Sequence, residues 1–229
     1  CLESVGGDLN AYTNKEGTVY YSAILKEHIA RAVDLLSDIV FHSVYPQAEI
    51  DKEVEVICDE IESYNDSPAE LIYDEFENIL FKGSSLGHNI LGTAEQVRSF
   101  TTEDALRFTR KLYRPDNAIF FAYGDIDFKK LVKLVRRALA DDDSGKLAAG
   151  ILPQISQITQ ISMPSDSKVV YCGYQINAGT RNEEPGEEGL AHFCEHVTFK
   201  GTERRKAWHI LNCLESVGGD LNAYTNKEG

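Results

Sequence analysis

The seventeen residues CLESVGGDLNAYTNKEG stand at positions 1–17 and again, without a mismatch, at 213–229. Structural repeats stack in series of three or more and diverge as they do so, whereas this one occurs twice and only at the two ends. The duplication reads as an overlap left by circular permutation. On that reading the parental order runs from about Ile151 through Gly229, continues at Thr18 and finishes near Asp143. Residues 144–150, SGKLAAG, have the small-residue composition of a linker joining the parental termini. Permutation is tolerated where termini lie close together at a surface. The two copies compete for one place in the fold. Only the C-terminal copy continues the helix-like AWHILNCLESVGG, and only the N-terminal copy runs on into the strand-like TVYYSAIL. Residues 208–219 are therefore expected to supply a helix and residues 8–24 a strand, with residues 1–6 and the last residues loose or exchanged between molecules.

Apolar residues at Leu25, Ile29, Val33, Leu36 and Val40 recur at helical spacing, which predicts a helix over 23–44 that stops before Pro46. Further helices are expected over 47–64, over 68–81 with Leu71, Phe76, Ile79 and Leu80 on the buried side, and over 127–139. Another opens at TTEDALRFTRKLY, where Thr101 or Thr102 precedes Glu103 or Asp104 in a capping-box pattern. Strands are expected at 17–25, 118–124, 154–162 and 169–179. Helices and strands come in clumps, so the expected fold class is α+β: one domain over 1–229, with a largely antiparallel sheet and helices packed on one face.

With 23 Lys and Arg against 37 Asp and Glu, the formal charge is −14. A surface of that sign repels polyanions, which excludes nucleic acid as a partner. The apolar runs, such as AIFFAY, are far shorter than the roughly 20 residues of a membrane span. No basic region followed by an apolar stretch opens the chain. The five cysteines form no CxxC pair and read as free thiols of a reducing compartment, which favours the cytoplasm.

Residues 189–202, GLAHFCEHVTFKGT, hold His192, Glu195 and His196 in HxxEH spacing. On a helix, positions four apart lie about 40° apart around the axis, so both imidazoles face one side and converge on one metal. Glu195 shares that side, near enough to hold a water at the metal. A catalytic tetrahedral zinc needs a third protein ligand and an open position. Residues 52–68, KEVEVICDEIESYNDSP, offer Glu53 and Glu60 two helical turns apart on one face, while Glu55, Asp59 and Glu62 point elsewhere. Either Glu53 or Glu60 can serve.

HFCEH followed by FKGT, together with ESVGGDLNAYTNKEGT, resembles the pitrilysin, insulysin and mitochondrial-processing-peptidase family of zinc metallopeptidases. The segments GYQINAGTRNE, EVEVICDEIESYNDSP, GHNILGT and YRPDNAIFFAYGDID resemble family blocks and, with the permutation undone, follow the family order. The path runs 33 residues from His196 to Gly229 and 43 from Gly17, its equivalent, to Glu60, 76 in all. That is similar to the family's long spacing between its second histidine and its glutamate ligand.

The resemblance implies a processing-peptidase-like domain in which His192, His196 and Glu60 hold Zn²⁺ and Glu53 orients a ligand. Glu195 would be the general base of a zinc-dependent endopeptidase acting on unfolded peptides or oligopeptides. Asn10 and Thr13, duplicated as Asn222 and Thr225, match the family's strand beside the active site, where a peptide substrate is held as an added strand; Asn10 is favoured because its strand continues. Family members are clamshells of homologous domains, so a homologous partner domain or a homodimer is expected to complete the chamber. The alternative is a zinc-retaining domain that binds peptide or a partner without catalysis. His28, His42, His88 and His209 are expected in structural or surface roles, and Cys194 in packing.

Overall fold

A computed structural model of the chain describes residues 8–140 and 168–210. Four antiparallel strands, β1 (Asp8–Thr13), β2 (Thr18–Leu25), β3 (Ala118–Tyr123) and β4 (Val169–Ile176), form one sheet in the order β1-β2-β4-β3. The β1–β2 hairpin closes on Asn14, whose side-chain oxygen accepts the N–H groups of Glu16 and Gly17 at 2.9 and 2.7 Å. Residue 17 is glycine because a Cβ there would meet the Ile176 carbonyl at 2.9 Å. Along β4, Val170, Cys172, Tyr174 and Ile176 are buried while Val169, Tyr171 and Gln175 are exposed. This period-2 alternation leaves one covered face and one open face among the described residues.

Seven α-helices that lie wholly within the described residues accompany the sheet: α1 (Ile29–His42), α2 (Gln47–Asn65), α3 (Pro68–Leu80), α4 (Ala94–Ser99), α5 (Thr102–Leu112), α6 (Phe128–Ala140) and α7 (Leu190–Thr198). Helix α1 lies across β2 and β4 and against α6, while α2 packs on α3, α4 and α7. The α+β class expected from the sequence is the one observed. Helix α5 starts at the expected capping box, Thr101 with Asp104, and α4 carries a second, Thr93 with Gln96.

Three expectations are corrected. The helix placed over 23–44 begins only at Ile29, because Ala23, Ile24 and Leu25 pair with Tyr171, Val170 and Val169 in the ladder, and a 3₁₀ turn, Lys26–His28, follows. Strand β4 ends at Ile176 and not at 179, since Asn177 leaves the ladder to bond the Asn117 carbonyl. The apolar side assigned to the 68–81 helix is not buried: Phe76, Ile79 and Leu80 are 62%, 74% and 60% exposed, and Leu71 is half-buried. Helix α3 turns Asp74 inward instead. Periodicity identifies a stripe on a helix, but tertiary contact decides what it faces, and α3 packs chiefly on α2. The strand expected at 154–162, the linker at 144–150 and most of the helix expected at 208–219 lie outside the described residues; residues 207–210 are helical. Cys58, Cys172 and Cys194 are buried free thiols, and Cys1 and Cys213 also lie outside the described residues.

Leu36 is fully buried on α1, so Leu36→Ala is expected to cost about 2–5 kcal/mol in urea unfolding. Ile79→Ala, on the exposed stripe, is expected to stay within about 0.5 kcal/mol of the unsubstituted chain.

Candidate metal centre

All nine residues of α7 are buried. The helix starts from Gly189, held at φ 95° against the loop between α3 and α4, where a Cβ would meet the Leu91 carbonyl at 2.6 Å. On its inner side Phe193 packs on Phe100 with ring centroids 5.2 Å apart. At its end Thr198 donates to the Cys194 carbonyl at 2.7 Å and accepts from the buried Tyr20 hydroxyl at 3.2 Å, and Tyr20 and Tyr113 share a further hydrogen bond of 3.0 Å. The loop after α7 is tied to α1, where Thr202 donates to the buried Asp38 at 2.9 Å and Arg205 pairs with Asp34 and Asp38. The helix is thus fixed along its length before its polar side chains are considered.

Those side chains converge with the carboxylate of α2. His192 Nε2 and His196 Nε2 are 3.2 Å apart, and Glu60 Oε2 is 3.7 Å from the first and 3.1 Å from the second. A tetrahedral zinc with nitrogen and oxygen ligands at about 2.0–2.1 Å sets its donors about 3.3 Å apart. The three measured edges bracket that length, so Glu60, His192 and His196 fit one face of such a coordination sphere. Glu53 approaches from the other side of the His196 ring, its Oε1 3.0 Å from Nδ1, and its Oε2 pairs with Lys200 at 2.5 Å. Both carboxylates that the sequence left open therefore reach His196, Glu60 at Nε2 and Glu53 at Nδ1.

Glu195 is buried beside this group, where Thr13 of β1 approaches its carboxyl. Its Oε2 has no hydrogen-bond partner among the described residues. Burial raises the Glu195 carboxyl to about 7, against the pull of His196 and Thr13. Burial and the neighbouring His196 depress His192 to about 3. Burial would depress His196 as well, but its bonds to Glu53 and Glu60 outweigh that and raise it to about 9. For Glu53, burial is outweighed by His196 and Lys200, which hold the carboxyl below its ordinary range.

Thr13 and Asn10 separate in the structure. Thr13 belongs to the buried face of β1 with Leu9 and Ala11, and its hydroxyl also lies 3.1 Å from that of Thr18. Asn10 lies on the opposite face, half-buried and bonded to Asp8. Asn222 and Thr225 lie outside the described residues. Cys194 is buried, and burial pushes its thiol well above the ordinary range, as a packing role requires. His42 lies 3.8 Å from Asp38, and the His209 ring stacks on Trp208. Lys200 escaped the reading of the sequence, although its place four residues after His196 puts it next above that ring on the continuing turn.

The family model described as Insulinase (Peptidase family M16) matches residues 1–94 and 160–229. The chain belongs to peptidase family M16. One curated M16 relative, an uncharacterized zinc protease of Rickettsia bellii, is 38% identical over 145 residues, covering 63% of this chain and 35% of that protein. An uncharacterized zinc protease of Bacillus subtilis is 36% identical over 224 residues, covering 97% and 49%. The mitochondrial-processing peptidase subunit beta of Saccharomyces cerevisiae is 37% identical over 136 residues, covering 59% and 29%. The chain thus spans between 29% and 49% of the length of these relatives. Among its described residues no helix is long and apolar enough to cross a membrane.

A metal ligand must be unprotonated, and His196 holds its proton up to about pH 9. Zn²⁺ affinity, measured by competition with a chromophoric chelator, is expected to rise about tenfold per pH unit from neutrality and to level off above about pH 9, one proton leaving for each ion bound.

Proposed function

We propose that the chain is a zinc-dependent endopeptidase domain that hydrolyses peptide bonds in unfolded peptides, with His192, His196 and Glu60 as zinc ligands and Glu195 as general base. The observation that carries this reading is the triangle of donors from α7 and α2, with a buried carboxylate beside it. A zinc ion held there would polarise the scissile carbonyl and acidify the attacking water. Glu195, with its carboxyl raised to about 7, is matched to take the proton of that water near neutral pH and to deliver it to the leaving amine. Thr13 steadies the carboxylate from β1 while Oε2 stays available. Glu53, held by Lys200, keeps the His196 ring turned with Nε2 toward Glu60.

Strand β1 has one partner, β2, among the described residues, so its outer edge suits backbone pairing with an extended peptide. Such pairing binds many sequences with little side-chain selectivity, which suits unfolded substrates. The side chain of Asn10, on the far face, would serve that strand and not the base. The relatives' greater length supports a homologous domain, or a second copy of this chain, as the opposite wall of the substrate chamber.

The identical segments at 1–17 and 213–229 support circular permutation with the parental termini joined near 144–150. The N-terminal copy of the duplicated segment supplies β1 in this arrangement, continuous with β2 through the Asn14 turn.

Glu195→Gln is expected to bind zinc as the unsubstituted chain does while hydrolysis of a quenched peptide library falls at least about a hundredfold; retained hydrolysis would sink the assignment of the base. A chain rewritten in the order 151–229 followed by 18–143 is expected to fold and to bind zinc with unchanged affinity. Failure of that chain to bind would overturn the permutation while leaving the site itself standing.

A further inference from the structure

The two imidazoles of the site are held by different means. A side chain, Glu53, fixes the His196 ring through Nδ1. His192 Nδ1 is buried and has no hydrogen-bond partner among the described residues, so the backbone of α7 places that ring. His192 is the third residue of α7 and follows Ala191 directly.

We propose that Glu183 and His88 form a positioning pair that anchors the first turn of α7 and so sets His192 into the metal triangle; this rests on the zinc reading of the site. Glu183 follows the 3₁₀ turn Thr180–Asn182, and its side chain is 0% exposed. One carboxylate oxygen accepts the Ala191 N–H at 2.7 Å, and the other accepts the Gly189 N–H at 3.1 Å and lies 2.8 Å from His88 Nε2. The first N–H groups of a helix have no partner within the helix, and a carboxylate among them is favoured by the helix dipole as well. With two of these donors bound to one rigid group, α7 can neither rotate nor slide without breaking a buried charge-assisted bond.

His88 is fixed in turn. It belongs to the loop between α3 and α4, where Lys15 donates to the carbonyls of Leu86 and His88 at 2.8 and 3.1 Å and pairs with Glu77 at 3.1 Å. The same loop meets the start of α7 backbone to backbone, since a Cβ at Gly92 would lie 2.1 Å from the Glu188 carbonyl. Lys15 sits in the β1–β2 turn, two residues after Thr13. One loop therefore links the strand that steadies Glu195 to the helix turn that carries His192.

The test is zinc affinity of the full chain by chelator competition, with the visible absorption of Co²⁺ in place of zinc as a report on ligand geometry. Glu183→Gln turns an amide N–H₂ toward backbone donors and is expected to lose about tenfold or more in zinc affinity, the scale on which groups behind metal ligands act, and to alter the Co²⁺ spectrum. His88→Ala is expected to do the same more weakly. His88→Gln, which keeps a donor for Glu183, is expected to restore affinity to within about twofold. Wild-type affinity and an unchanged spectrum in both Glu183→Gln and His88→Ala would overturn the proposal. Should Glu183→Gln not fold, equal affinities for His88→Ala and His88→Gln overturn it alone. Absence of zinc binding by the unsubstituted chain would overturn the zinc reading and this inference with it.

Discussion

Everything in this structure turns on the complete burial of a nine-residue helix that carries two imidazoles and a carboxylate. Moving ionisable groups out of water is costly unless each finds a partner. The fold answers with partners from the surrounding elements: Glu60 and Glu53 from α2, Thr13 from β1, and Lys200 from the segment after the helix. The sheet and helices are arranged so that these partners arrive together.

The protonation pattern follows from the same crowding. Three carboxylates, Glu53, Glu60 and Glu195, surround the two rings, and the proton on His196 together with Lys200 offsets part of their charge. A divalent cation can take over that role only by displacing the proton, so the site is built for a positive charge whichever species supplies it. Because the donors already stand near tetrahedral spacing, little rearrangement would accompany the exchange.

The chemistry of the site was legible in the sequence where it depended on helical period: His192, Glu195 and His196 share a side of α7 because of their spacing, and the Thr101–Asp104 cap was readable for the same reason. Period alone could not separate Glu60 from Glu53, since both lie on one face of α2 and both reach His196, from different ring atoms. It also misled at α3, where the apolar stripe is real but faces outward, and at residues 23–25, where strand pairing overrode a plausible helical start. Thr13 reads as a strand residue for substrate; its contact with Glu195 depends on how β1 packs against α7, which no local pattern encodes. The Glu183–His88 pair joins residues 95 positions apart, and nothing in either segment announces the other.

Gly92 and Gly189 press together where the α3–α4 loop meets the start of α7, and a side chain on either would strike main-chain carbonyls of the other segment, not movable side chains. Substitution at one position therefore cannot be rescued by trimming a neighbour. A side chain at either site would force the main chains of the two segments apart. The contact couples the path of the α3–α4 loop to the start of the helix that carries His192 and His196.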